Sequence, residues 1–157
     1  MSHRHHNRDL DCALIDAVLM DETQAVQQLL QRGAEVNARD LEHQETPLML
    51  AQSDTMSRIL LEHGADVFAV DDQGRTAFMR SLNPILFRSG MNINAQDRNG
   101  KTALMTAVEV ALDESISWLL YHGADVNVTN QWGETALSIA NGYGLVGISD
   151  VLKQAGI

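Results

Sequence analysis

Few residues in this chain combine the types and spacing that chemistry needs. The opening run MSHRHHNRD brings His3, His5 and His6 close enough to catch a transition metal weakly. A flexible, non-functional tail is the simpler reading, and no metal site is expected from it. Cys12 is the single cysteine, with no histidine beside it in sequence to activate the thiol. Asn127, Val128 and Thr129 spell a glycosylation sequon, but no secretion signal accompanies it. There is no glycine loop to cradle phosphate, no metal-binding pair on a helix and no nucleophile elbow. The chain is therefore expected to be non-catalytic and to need no cofactor. Trp132, in the turn-like stretch "NQWGE", is the sharpest remaining residue. An exposed indole is costly to leave wet, and at an interface centre such a side chain often contributes about 2 kcal/mol. The alternative is that its ring folds back over Thr129 or a neighbouring loop.

Composition narrows the class of partner. The 157 residues suffice for one domain with a real core, packed mainly by aliphatic side chains because aromatics are only 4%. Twenty-one acids against eleven bases give a net charge of −10. Such a surface repels nucleic acid and anionic membranes and favours a basic partner protein, with association that weakens as salt rises. No segment approaches the roughly 18 apolar residues needed to span a bilayer. A lone cysteine fits a reducing compartment, so a soluble, cytoplasmic monomer is expected.

The elements that would position these side chains come from self-similarity. A phrase recurs as "LLQRGAEVNARD" from Leu29, "LLEHGADVFAVD" from Leu60, "MNINAQDRNG" from Met91 and "LLYHGADVNVTN" from Leu119. Its glycine falls at Gly33, Gly64, Gly90 and Gly123, with a weaker copy at Gly156, giving spacings of 31, 26, 33 and 33. A threonine followed two residues later by an apolar residue recurs at Thr46, Thr76, Thr102 and Thr135. Counting 21 residues back from Gly33 reaches Cys12, the distance that separates Thr102 from Gly123. Ala103, Leu104, Ala107 and Val108 lie at helical spacing, as do Ile116, Leu119 and Leu120. Gly123 follows where a helix must end at positive φ. Each unit thus reads as helix, loop, helix and then an outward-turning hairpin, and stacked units share a continuous core.

"ETPLMLA" (Glu45 to Ala51), "DRNGKTALMTA" (Asp97 to Ala107) and "HGADVN" (His122 to Asn127) resemble the ankyrin repeat, whose pattern is roughly D-x-x-G-x-T-P-L-H-x-A-A, a second helix, then G-A-D-V-N. The resemblance implies an all-α solenoid with projecting hairpin or loop fingers. Residues 1–8 would be a His-rich tail and 9–157 one domain, with repeats at about 9–38, 39–69, 70–95, 96–128 and 129–157. Val26, Leu29 and Leu30 against Gln24, Gln27, Gln28 and Gln31 suit a first, capping repeat. Ile148, Val151 and Leu152 should pack inward at the other end, making the array self-capped. Trp118 aligns with an inward leucine, Cys12 with an inward threonine, and Met49, Met79 and Met105 with the family's buried histidine. His63 and His122 should meet free carbonyls at helix ends, and Asn127 is the repeat's own structural asparagine.

Two copies are short. Thr46 to Gly64 spans 18 residues and Thr76 to Gly90 only 14, against 21. The losses are expected between the helices or in the second helix, with Asn83 and Pro84 opening a second helix of about one and a half turns in repeat three. A narrower outer face there would change curvature, and repeat three would be the weak point.

Ankyrin-like arrays bind proteins through hairpin tips and the groove face of the first helices. Alignment on the threonines puts Glu42 and His43, Asp72 and Gln73, Arg98 and Asn99, and Gln131 and Trp132 at the tips. Gln44 replaces the turn glycine in repeat two, whose finger reads one residue longer. Arg75, Arg80, Lys101 and Glu109, with Gln52 and Asp71, would add a mixed-sign groove surface. The resemblance implies a protein-recognition module; the alternative is a small acidic inhibitor, such as an immunity protein, masking a basic toxin or enzyme.

Overall fold

A computed structural model describes residues 2–88 and 91–156, with side-chain environments from residue 8 onward; Gly90 and the side chains of His3, His5 and His6 lie outside the described residues. Among the described residues the chain is helical without strands. Its elements are α1 (Ser2–Leu19), α2 (Thr23–Gln31), α3 (Pro47–Leu50), α4 (Asp54–Glu62), α5 (Ala77–Ser81), a 3-10 turn (Pro84–Leu86), α6 (Ala103–Glu109), α7 (Asp113–Tyr121), α8 (Ala136–Gly142) and α9 (Val146–Ala155). The segment expected as a tail is helical from Ser2, forming the first turns of α1.

Two compact units divide the chain. The first comprises Met1–Asp72 with Thr76–Arg88, the second Gln73–Arg75 with Ser89–Ile157. In the first unit, α3 packs against α1 on one side and α5 on the other, forming a layer of first helices. Behind it α4 contacts α2 and the 3-10 turn. Leu14, Val18, Val26, Leu48, Met56, Leu60 and Leu86 fill the space between the layers. In the second unit, α6 and α8 pack side by side, each backed by its own second helix, α7 or α9. Leu104, Met105, Val108, Ile116, Leu119, Ala140 and Leu152 are buried there. No helix among the described residues is long and apolar enough to cross a membrane.

Local chemistry explains the element ends. The hydroxyls of Thr76, Thr102 and Thr135 accept the amides of Met79, Met105 and Ser138, capping α5, α6 and α8. After α2, α4 and α7 the chain reverses at Gly33, Gly64 and Gly123, whose φ values of 96°, 85° and 88° suit glycine. Each following alanine amide donates five residues back, as Ala124 does to the carbonyl of Leu119 at 2.9 Å, so the three terminations are one motif repeated. As expected, His63 Nδ1 meets the carbonyl of Ile59 at 2.8 Å and His122 Nδ1 that of Trp118 at 2.7 Å.

A similar turn links first to second helices at Asp21, Ala111 and Gly144, with φ of 55°, 52° and 70°. Leu112 donates to Ala107 as Leu145 does to Ala140. Alanine pays for this left-handed geometry and glycine does not. Ala111→Gly is therefore expected to stabilise the protein by about 0.5–1 kcal/mol, net of the added freedom of the unfolded chain, as a raised urea midpoint.

The short copies lose different pieces. In repeat two the second helix, α4, keeps nine residues like α7, whereas α3 has four against seven in α6. The deletion thus removes the end of the first helix and its left-handed turn, correcting the expected position. Ser53 takes over by capping the amide of Met56, while its hydroxyl donates to Asp21 at 2.7 Å. In repeat three Asn83 caps Ile85 and Pro84 opens the segment, but only a three-residue 3-10 turn follows.

Several inward assignments change. Met49, Met79 and Met105 are buried as expected. Cys12 is exposed: α1 begins ten residues before it, so this position is mid-helix and not a tucked cap. Trp118 is half-buried, its ring stacked on His122 at 3.8 Å between centroids. Val151 is exposed, because α9 turns only Ile148 and Leu152 of that trio inward. The capping glutamines of α2 face outward, while Val26 is buried and Leu29 and Leu30 are half-buried.

Candidate interaction surface

Three of the fingers are turns organised by one polar side chain each. Asp97 Oδ1 accepts the amides of Asn99 and Lys101, and Asn130 Oδ1 accepts those of Trp132 and Glu134. In the first unit Asp40 Oδ1 accepts His43 and Glu45 in the same manner. This short-range acceptance drives the turn, and glycine then closes it at Gly100 and Gly133 with positive φ. Gln44 adopts the same left-handed conformation at φ 58°. The backbone bond closing that finger runs from Asp40 to Glu45, against Asp97 to Lys101 and Asn130 to Glu134, so it is one residue longer, as the spacing implies.

Backbone hydrogen bonds stitch neighbouring tips. In the first unit the amide of Asp72 donates to the carbonyl of His43 at 3.0 Å. In the second, Arg98 donates to Gln73 at 2.8 Å and Gln131 to Asn99 at 2.9 Å. The asparagine of the recurring phrase ties the finger bases: Asn37 Oδ1 accepts Asp66, and Asn94 Oδ1 accepts Asp125, each at 2.8 Å. The backbone of each tip row is consequently held before any partner arrives. The organising groups are Asp40, Asp97 and Asn130; their sequence signal is a D or N six residues before Thr46 and five before Thr102 and Thr135, the position of the D that opens the repeat pattern.

The tip side chains fall into two sets. Glu42 and His43 are exposed in the first unit, with Asp72 half-buried and its Oδ2 3.9 Å from His43 Nδ1. The second unit presents Gln73, Arg98, Gln131 and Trp132 outward, with Asn99 half-buried. Gln131 Nε2 donates to Asn99 Oδ1 at 3.2 Å. Trp132 is 59% exposed, so its ring does not fold away.

The groove positions behave differently. Arg80 bridges Glu45 and Asp71, two buried acids, its Nη1 lying 3.5 Å from Asp71 Oδ2. Asp71 thus belongs to the interior and not to the mixed-sign surface. Lys101 Nζ donates to Glu109 Oε1 at 2.7 Å, each about a quarter exposed. Arg75 is half-buried, and Gln52 is exposed.

Helix pairs with capped first helices, glycine-ended second helices and stitched turn fingers define a helical repeat protein. Residues 14–84 and 82–157 each match the family model described as ankyrin repeats (3 copies), and the chain belongs to this family. It is similar to Ankyrin repeat and SOCS box protein 6 of Homo sapiens, 34% identical over 131 residues, covering 80% of this chain and 26% of that protein. The Mus musculus protein of that name is 41% identical over 75 residues, 45% of this chain and 18% of its own length. The chain therefore spans about a quarter or less of these relatives. Ankyrin repeats generally mediate protein–protein interaction, and the family is typically non-catalytic.

Proposed function

We propose that this chain is a non-catalytic recognition module that binds a partner protein through its finger tips, with the tip row of the second unit as the energetic centre. The observation that carries this reading is Trp132, held outward on a backbone already stitched to its neighbour. A rigid turn loses little freedom on binding, so an indole presented this way can contribute nearly its full burial. Gln73, Arg98, Asn99 and Gln131 would supply directional contacts around it, while Arg75, Lys101 and Glu109 would border them. In the first unit Glu42, His43 and Asp72 offer a second, more acidic tip set, with Arg80 behind it as support. The net charge of −10 favours a basic partner, and the lone cysteine suits the cytoplasm.

The test is affinity capture with the native chain and with Trp132→Ala, followed by affinity measurement on the purified partner. Loss of about 2 kcal/mol, roughly thirtyfold, is expected for Trp132→Ala without change in the unfolding midpoint. A partner whose affinity ignored both Trp132→Ala and Arg98→Glu would sink the tip reading.

A further inference from the structure

We propose that the first unit carries a separate docking groove, between α1 and the segment leading into the first finger, for a short basic stretch of a partner protein with an apolar side chain set between its lysines or arginines. This goes beyond the tip reading: the groove lies beside the first unit's tip, sharing Glu42 with it, and does not involve Trp132 or the second unit's tip row. The groove encloses about 640 Å³. That volume is in the range of small-ligand pockets, enough for a few side chains and too little for a folded domain face. One wall is a stripe of α1 at helical spacing, Asp11, Cys12, Ile15 and Asp16; the other runs from Glu35 to Glu42. The bond from the amide of Glu35 to Asp11 Oδ1, at 2.7 Å, fixes the walls to each other.

The chemistry of the lining selects the occupant. Five acidic residues, Asp11, Asp16, Glu35, Asp40 and Glu42, line it with two arginines, Arg8 and Arg39. Arg39 directs Nη1 to the carbonyls of Gln44 and Val70, at 2.6 and 2.7 Å. Among the described residues no three acidic, histidine or cysteine side chains converge as a metal ion would require. The negative charge is instead spread along the groove, which suits separate cationic side chains on one strand of peptide. Between the acids lie Ile15, Ala38 and Leu41. Leu41 is 76% exposed, an apolar lip that gains by being covered.

Cys12 is the single cysteine, exposed, and lines this groove, so it reports occupancy directly. Random dodecapeptides displayed on phage would be selected on the full chain. The recovered peptides are expected to carry two or more lysines or arginines flanking an apolar residue. A labelled representative should slow alkylation of Cys12 by N-ethylmaleimide and bind more weakly as salt rises. Its affinity should fall about tenfold in Asp16→Lys and in Leu41→Ser, both surface changes whose folding is checked by circular dichroism, and should hold in Trp132→Ala. Neutral or acidic peptides, unchanged Cys12 alkylation, or affinity lost only in Trp132→Ala would each overturn the groove assignment. The tip reading, tested on the native partner, would stand or fall separately.

Discussion

Replacing Arg80 with alanine is expected to lower the unfolding free energy by about 3 kcal/mol, among the largest effects of any single polar change in this chain. Glu45 and Asp71 have side chains 6% and 0% exposed, and the guanidinium of Arg80, 25% exposed, serves both. Removing it leaves two carboxylates in a low-dielectric setting with one fewer positive partner. The cost is mainly their lost compensation and not the intrinsic worth of the ion pairs. That distinction is measurable. Arg80→Met combined with Glu45→Gln and Asp71→Asn should recover most of the loss, because the triple change no longer buries charge. Urea unfolding with an unchanged slope is the measurement. A loss below about 1 kcal/mol for Arg80→Ala would mean that the cluster is solvated like a surface pair.

The second large effect is expected at Gly100, with Gly133 as its internal control. Both glycines have nearly the same φ, 76° and 77°, so a side chain at either incurs the left-handed penalty of about 1–2 kcal/mol. They differ in what a Cβ would meet. At Gly133 nothing lies within 4 Å, whereas at Gly100 the nitrogen of Gln131 would stand at 3.0 Å and the Cα of Asn130 at 3.1 Å. Those are backbone atoms of the neighbouring finger and cannot rotate away. Gly100→Ala should therefore cost about 3 kcal/mol in all, and Gly133→Ala only the strain term. The former should also loosen the bond from Gln131 to Asn99, seen as faster hydrogen exchange at the Gln131 amide. Equal costs at the two glycines would show that the fingers are not held as tightly as their hydrogen bonds indicate.

These two sites mark the limits of what spacing conveys. The glycines, threonines and aliphatic pairs act through bonds made within a few residues, so their roles are legible in the sequence itself. Thr102 caps its own helix and Gly123 ends the next, whatever surrounds them. The longer finger at Gln44 is readable for the same reason. Asp71 misleads because an acid next to a tip looks like solvent-facing charge. Only its approach to Arg80 and Glu45, from different segments, shows otherwise. Cys12 misleads in the reverse direction, since alignment with the capping threonines assumes a helix start that α1 does not make there.

From sequence alone, then, come the helical repeat, its register, its turn chemistry and the position of Trp132 on a finger tip, all consequences of local backbone preference and apolar periodicity. Tertiary packing decides which acids are buried, which first helix absorbs a deletion, how far Trp118 and Val151 turn inward, and that Cys12 lines an open acidic groove. Those outcomes depend on side chains distant in sequence meeting across elements, where the free energy of desolvating a charge or filling a gap outweighs any local preference.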